Sequence, residues 1–213
     1  LGVPVNHYCN DRISGGFGIN AAGVDDIMSR FPETKVLLTV DNGIAGIEGV
    51  ARAKELGLTV IITDHHEPGA ELPAADAVID HKRADEPDGQ DKNCCGAGVV
   101  WKLLLEIYST LGCDVTPVLD LLDIVALGTI ADVVPLTGEN RIMVHAGLKA
   151  LAKKSRPGLA ALSYIAGIAE KNQSVTNVSF ALARLTNAVG RVGNAEMGGR
   201  LLFESAPPKA NQA

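Results

Sequence analysis

Residues 35–43 read KVLLTVDNG and residues 59–66 read TVIITDHH. Each opens on a short apolar run rich in strand formers and stops abruptly at polar residues, Asp41-Asn42-Gly43 in the first and Asp64-His65-His66 in the second. Between them Ile44 to Leu56 carries helical spacing, and Gly57 stands where a helix ends. Strand, helix and strand within about 30 residues make a βαβ unit, whose two strands run parallel and lie beside or near each other. A further short strand is expected at Ala77 to Ile79 in the same sheet. In open parallel sheets ligands gather beyond the carboxyl ends of the strands, where loops converge and helix amides point outward. Both runs end in acidic residues, so two carboxylates and two imidazoles are brought to one rim, on strands about 5 Å apart.

Outward from this unit the pattern changes. After about residue 93 apolar residues recur at spacings of three and four, predicting helices over Gly98 to Leu111, Pro117 to about Ile130, Arg141 to Ala152, Leu159 to Ile168 and Asn194 to Phe203. The fold class is α/β in front and mostly α behind. The domain expectation is a core over 1–155 and a helical extension over 156–213. No apolar run approaches the ~20 residues of a membrane span, and no basic-then-apolar leader opens the chain, so a cytoplasmic protein without a membrane anchor is expected. The start at Leu1 and the polar end from Pro207 to Ala213 read as cuts from something longer.

With 213 residues and a net charge of -6, the chain offers no broad basic surface, so a nucleic-acid partner must be held by a local cluster or through bound cations. The four cysteines, Cys9, Cys94, Cys95 and Cys113, form no CxxC pair and read as structural thiols in a reducing compartment.

Hard oxygen ligands with one or two imidazoles suit Mn²⁺, Mg²⁺ or Zn²⁺, ions that polarise a phosphoryl oxygen and lower the pKa of bound water. Phosphoester hydrolysis is the natural reaction class. The competing reading has Asp41 capping the following helix and Asp64 shaping a turn. It is weaker for His65 and His66, because adjacent histidines at a strand end contribute little packing. In LLDIVALGTIADVVPL, residues 121–136, two carboxylates interrupt an apolar stretch. Asp132 sits where the pattern breaks toward Pro135 and either projects from the helix end or caps the next turn; Asp123 reads as a solvated or hydrogen-bonded helix residue. Gly96-Ala97-Gly98 opens a helix and is read equally as a phosphate-binding turn or as close packing.

The tetrad Thr63-Asp64-His65-His66, with Thr39 to Gly43 before it and Gly96 to Val99 and Gly128 to Asp132 after it, closely resembles the DHH phosphoesterases. Asn10-Asp11-Arg12, Asn140-Arg141, Arg184 to Ala188 and Gly190-Arg191 extend the likeness to the RecJ-like exonucleases of that family, in ordered blocks over roughly residues 8 to 203. The resemblance implies a parallel-sheet core with helices on both faces and a Mn²⁺- or Mg²⁺-dependent 5′-to-3′ exonuclease on single-stranded DNA, working in repair and recombination. It implies two ions in the intact protein. Carried over by position, Asp41, His65 and Asp132 are metal ligands, His66 lies in the metal shell or against the scissile phosphate, and Asp64 orients the histidines. Arg12, Arg184 and Arg191 match arginines along the DNA path. Repair and single-strand-binding proteins are the implied protein partners, and a monomer the implied state.

The family's first metal motif, an Asp-x-Asp-Gly segment, does not occur in the chain, and neither does its Gly-rich, His-containing C-terminal motif. Whether the fragment binds one ion or two is open at this point. Two other readings stand beside the exonuclease: a phosphodiesterase for nanoRNA, cyclic dinucleotides or other small molecules, and a non-catalytic scaffold on the same fold.

Overall fold

The computed structural model describes residues 2–9, 18–87, 92–153, 155–168, 173–183 and 199–202. It divides into two compact units, Leu1–Glu86 and Pro87–Ala213.

The first unit holds the sheet. Helix α1, Ala21–Arg30, is capped by Asn20, whose side chain accepts the Gly23 amide at 2.9 Å. Strand β1 is Val36–Val40, helix α2 Ile47–Glu55, strand β2 Thr59–Thr63 and strand β3 Ala77–Ile79. The strands lie in the order β1-β2-β3 and all pairs are parallel, which is the α/β core expected. Register runs straight across the sheet at the carboxyl end: Val40 faces Thr63, and Thr63 faces Ile79.

Side chains alternate along β2, and Val60 and Ile62 go to the face covered by α1 and α2, where they pack with Val24, Val50, Ala53 and Leu58. Each such fully buried side chain contributes about 1.5–3 kcal/mol. The two helices approach closely because α2 begins on glycines. A Cβ at Gly49 would lie 2.7 Å from the Ile19 carbonyl, and one at Gly46 would lie 2.3 Å from the Ile19 side chain.

Helix α2 begins three residues later than the periodicity predicts. Asp41 takes φ 63° and Gly43 φ 115°, so the chain turns sharply after β1. Residues 44–46 form the approach to the helix rather than its first turn.

The second unit is helical: α3 Gly96–Thr110, α4 Thr116–Leu119, α5 Leu122–Ala131, α6 Gly138–Ala152, α7 Pro157–Ile165 and α8 Val175–Asn177, followed by a π-helical turn, Val178–Ala183. Residues 199–202 are also helical, the described part of the helix expected over 194–203. The single helix expected from Pro117 to Ile130 is two. The Trp101 indole donates to the Val118 carbonyl at 2.8 Å, and the Leu121 amide takes the same carbonyl in a tight i+3 bond, so the α-helical ladder breaks there.

Helices α5 and α6 meet at Gly147, where a Cβ would lie 2.1 Å from the Leu122 carbonyl. Ala126, Leu127, Ile130, Val144, Leu151, Leu159 and Leu182 fill the core of this unit. Helix α7 stops at Gly167, φ 69°, with the Ile168 amide bonding back to the Ser163 carbonyl. Among the described residues no helix is long and apolar enough to cross a membrane.

Candidate metal centre

Asp64 is the structural centre of the rim. It follows β2 directly, is 1% exposed, and both its oxygens accept hydrogen bonds. Its Oδ2 accepts the Ile44 amide at 2.9 Å, which is why residues 44–46 are held as a loop. Its Oδ1 accepts the His65 amide at 2.8 Å, the His66 amide at 3.3 Å and the His66 ring Nδ1 at 2.7 Å. Burial alone would push this carboxyl up. The Ile44 amide, the His66 ring and the His65 amide outweigh it and hold the carboxyl below its ordinary range.

Asp41 follows β1 in the left-handed region, an uncommon conformation for a residue with a side chain and one that Asp tolerates better than most. Its carboxylate is exposed, and Oδ1 lies 2.9 Å from Nε2 of the nearly buried His65. The two atoms are close but not on the line of a hydrogen bond. An imidazole nitrogen and a carboxylate oxygen this close fit two ligands of one cation. The His65 and His66 rings lie 4.4 Å apart at 53°. One ligand atom from each of Asp41, Asp64, His65 and His66 falls within 4.8 Å of the others. Both oxygens of Asp64 already accept N–H donors, so the atoms most open to a cation are those of Asp41, His65 and the outward nitrogen of His66. This mixed oxygen and imidazole set suits Mn²⁺, Mg²⁺ or Zn²⁺, and the bond from Asp64 to His66 Nδ1 is the kind of outer contact that fixes a ligating imidazole.

Of the other residues singled out from the sequence, Asp132 lies in the second unit as the C-cap of α5, exposed, its amide bonded to the Gly128 carbonyl. Val133 beside it takes φ 58°, a strained conformation for a β-branched residue. Arg12, Arg184 and Arg191 lie outside the described residues. Asp123 is buried and paired: Arg156 Nε and NH2 reach its two oxygens at 3.1 and 3.3 Å. Gly98 answers to packing, since a Cβ there would lie 2.4 Å from Cys94 Sγ. None of the four cysteines is in a disulfide, and Cys94 and Cys95 are buried.

Sequence reasoning misses Asp80, and it quotes Asn140 only within a family block without reading its role. Asn140 is 1% exposed and donates to the carbonyls of Asn93 and Pro135 at 2.8 and 2.9 Å, fastening the loop after Asp132. Asp80 follows β3 as Asp41 follows β1 and Asp64 follows β2. The signal for it is in the lettering, LLTVD, VIITD and AVID, three apolar runs each closed by Asp.

Comparison with known proteins agrees with this geometry. The profile of the DHH family, N-terminal domain, matches residues 2–129. The single-stranded-DNA-specific exonuclease RecJ of Salmonella typhimurium is 38% identical over 209 residues, covering 93% of this chain and 36% of that protein. The RecJ of Bacillus subtilis is 40% identical over 205 residues, 95% of this chain and 25% of that protein. Among solved structures, an exonuclease RecJ bound to manganese superposes with a TM-score of 0.83 at 33% identity, covering 96% of this chain and 50% of that one. RecJ from Thermus thermophilus in complex with Mn²⁺ superposes with a TM-score of 0.74 at 34% identity, covering 89% and 28%. The chain thus spans about a third or less of the length of these two curated relatives.

Proposed function

This chain belongs to the DHH family, and from that premise we propose that it is the metal-binding core of a single-stranded-DNA-specific 5′-to-3′ exonuclease of the RecJ kind, acting with Mn²⁺ or Mg²⁺. The observation that carries the reading is the Asp41 Oδ1–His65 Nε2 pair, 2.9 Å apart with Asp64 bracing the turn behind it.

In this reading Asp41 and His65 hold a divalent ion, and Asp132 is a ligand by its place in the family motif. Divalent ions bound there lower the pKa of water and neutralise charge on the phosphoryl oxygen. Asp64 keeps the His66 ring turned so that its outward nitrogen faces the scissile phosphate. Arg12, Arg184 and Arg191 grip the strand, each guanidinium matching a phosphate with two hydrogen bonds. Residues 1–155 are the core, and 156–213 lead toward a substrate-binding domain. Single-stranded DNA is the substrate and repair proteins the partners of a monomeric, cytoplasmic enzyme.

The test is Asp41→Ala and His65→Ala in a protein of the relatives' full length. Mn²⁺-dependent release of nucleotides from a single-stranded oligonucleotide should vanish while the circular dichroism spectrum is kept; turnover that survives both changes removes these residues from the site. The same preparation offered cyclic dinucleotides and short RNA separates the exonuclease from a small-molecule phosphodiesterase, which would hydrolyse those in preference.

A further inference from the structure

The register of the sheet places three carboxylates side by side. Val40, Thr63 and Ile79 are aligned across β1, β2 and β3, and the ladder continues one step further, from the Asp41 amide to the Thr63 carbonyl and from the Asp64 amide to the Ile79 carbonyl, each 3.0 Å. Asp41, Asp64 and Asp80 therefore occupy one rung, on strands about 5 Å apart. Asp41 is open to solvent, and Asp64 is hydrogen-bonded by donors on both oxygens.

Asp80 is neither. It is 1% exposed, its Oδ1 accepts the Lys82 amide at 2.9 Å, and its Oδ2 is buried with no hydrogen-bond partner. The turn that Asp80 shapes, closed by the Arg83 amide on the Asp80 carbonyl, uses Oδ1 alone. An asparagine would serve that turn as well and would not carry a charge into a buried site, where an uncompensated carboxylate is costly. Burial, the largest influence, holds this carboxyl above its ordinary range, and the charge of Asp64 adds to it, against the Lys82 amide, His81 and His65. The second oxygen is thus surplus to the fold, and the groups around it are those of the rim.

We propose that Asp80 is a positioning residue of the metal centre, a buried carboxylate that strengthens cation binding at Asp41 and His65 through its charge without touching the ion. This rests on the metal-centre reading above. It gives the surplus oxygen a counter-charge: a divalent cation on the rim compensates Asp80, and Asp80 in turn favours the cation, in a setting that screens the interaction less than water does.

The experiment titrates this chain with Mn²⁺, following the free ion by electron paramagnetic resonance, alongside metal-free thermal unfolding. Asp80→Asn keeps an acceptor for the Lys82 amide and removes only the charge. Expected is a Mn²⁺ affinity lower by about tenfold, the order of one buried charge acting on a nearby divalent ion, with metal-free thermal stability unchanged or raised. Asp80→Ala, which also removes the acceptor, should lower both. Wild-type affinity in Asp80→Asn overturns the proposal while leaving the metal centre intact. A metal-free Tm that falls together with the affinity in Asp80→Asn assigns the residue to the fold and overturns it too. If the wild-type chain takes up no Mn²⁺, the metal-centre reading fails first and this inference with it.

Discussion

Asp41 and Asp64 stand on adjacent strands of one rim, and the structure gives them opposite dependences. Replacing Asp64 by Asn swaps one acceptor oxygen for an NH₂ in a site that is 1% exposed and surrounded by donors. If the remaining oxygen keeps the three contacts of Oδ1, the new NH₂ faces the Ile44 amide, donor against donor, and both are left unsatisfied. One buried unsatisfied group costs about 1–3 kcal/mol, and a charge-assisted bond is worth about 1.5–3 kcal/mol. We therefore expect Asp64→Asn to destabilise the first unit by about 3 kcal/mol. Asp41→Asn should change stability by under about 0.5 kcal/mol, since Asn tolerates the left-handed region and the side chain is exposed. Hydrogen–deuterium exchange of the β1 and β2 amides reads this locally: protection should fall about a hundredfold in Asp64→Asn and stay level in Asp41→Asn. The pH dependence has a definite sign. Because the folded carboxyl of Asp64 is depressed, its stabilisation is present above the unfolded value, about 3.9, and is lost as pH falls through the lower folded value. Asp64→Asn should flatten that acid limb. Equal protection in the two variants would refute the account of Asp64 as the brace of the rim.

The other predictions concern backbone and pairing. Gly43→Ala should cost about 2 kcal/mol or more, read by urea unfolding, because its φ is 115° and the added Cβ would lie 2.8 Å from Thr39 Oγ1. Arg156→Met leaves Asp123 charged and buried and should cost about 2–3 kcal/mol, whereas the double change with Asp123→Leu should recover most of it in a double-mutant cycle. Val133→Gly relieves a left-handed valine and should raise Tm, with a net gain of about 0.5–1 kcal/mol after the added freedom of the unfolded chain.

Much of this arrangement is written locally in the chain. Strands β2 and β3 lie where the apolar runs place them, and Asp64-His65-His66 reaches the rim because a parallel strand must end there. What is not legible depends on partners distant in sequence. The start of α2 is displaced because the Ile44 amide belongs to a carboxylate twenty residues on, and the break between α4 and α5 depends on an indole from α3. Asp80 escapes notice because a single Asp after a short strand looks like any turn residue, and its burial shows only in the fold. Asn140 shows in the lettering only as part of a family block, and its two carbonyl partners, at Asn93 and Pro135, come from loops.

The bonds converging on Asp64 have a further consequence for how a cation would be received. By joining the Ile44 amide to the turn that carries both imidazoles, Asp64 makes the loop after β1 and the loop after β2 a single rigid piece. The spacing of Asp41 and His65 is then set when the chain folds. An arriving ion meets preorganised ligands, and the entropy of ordering them is not subtracted from its affinity.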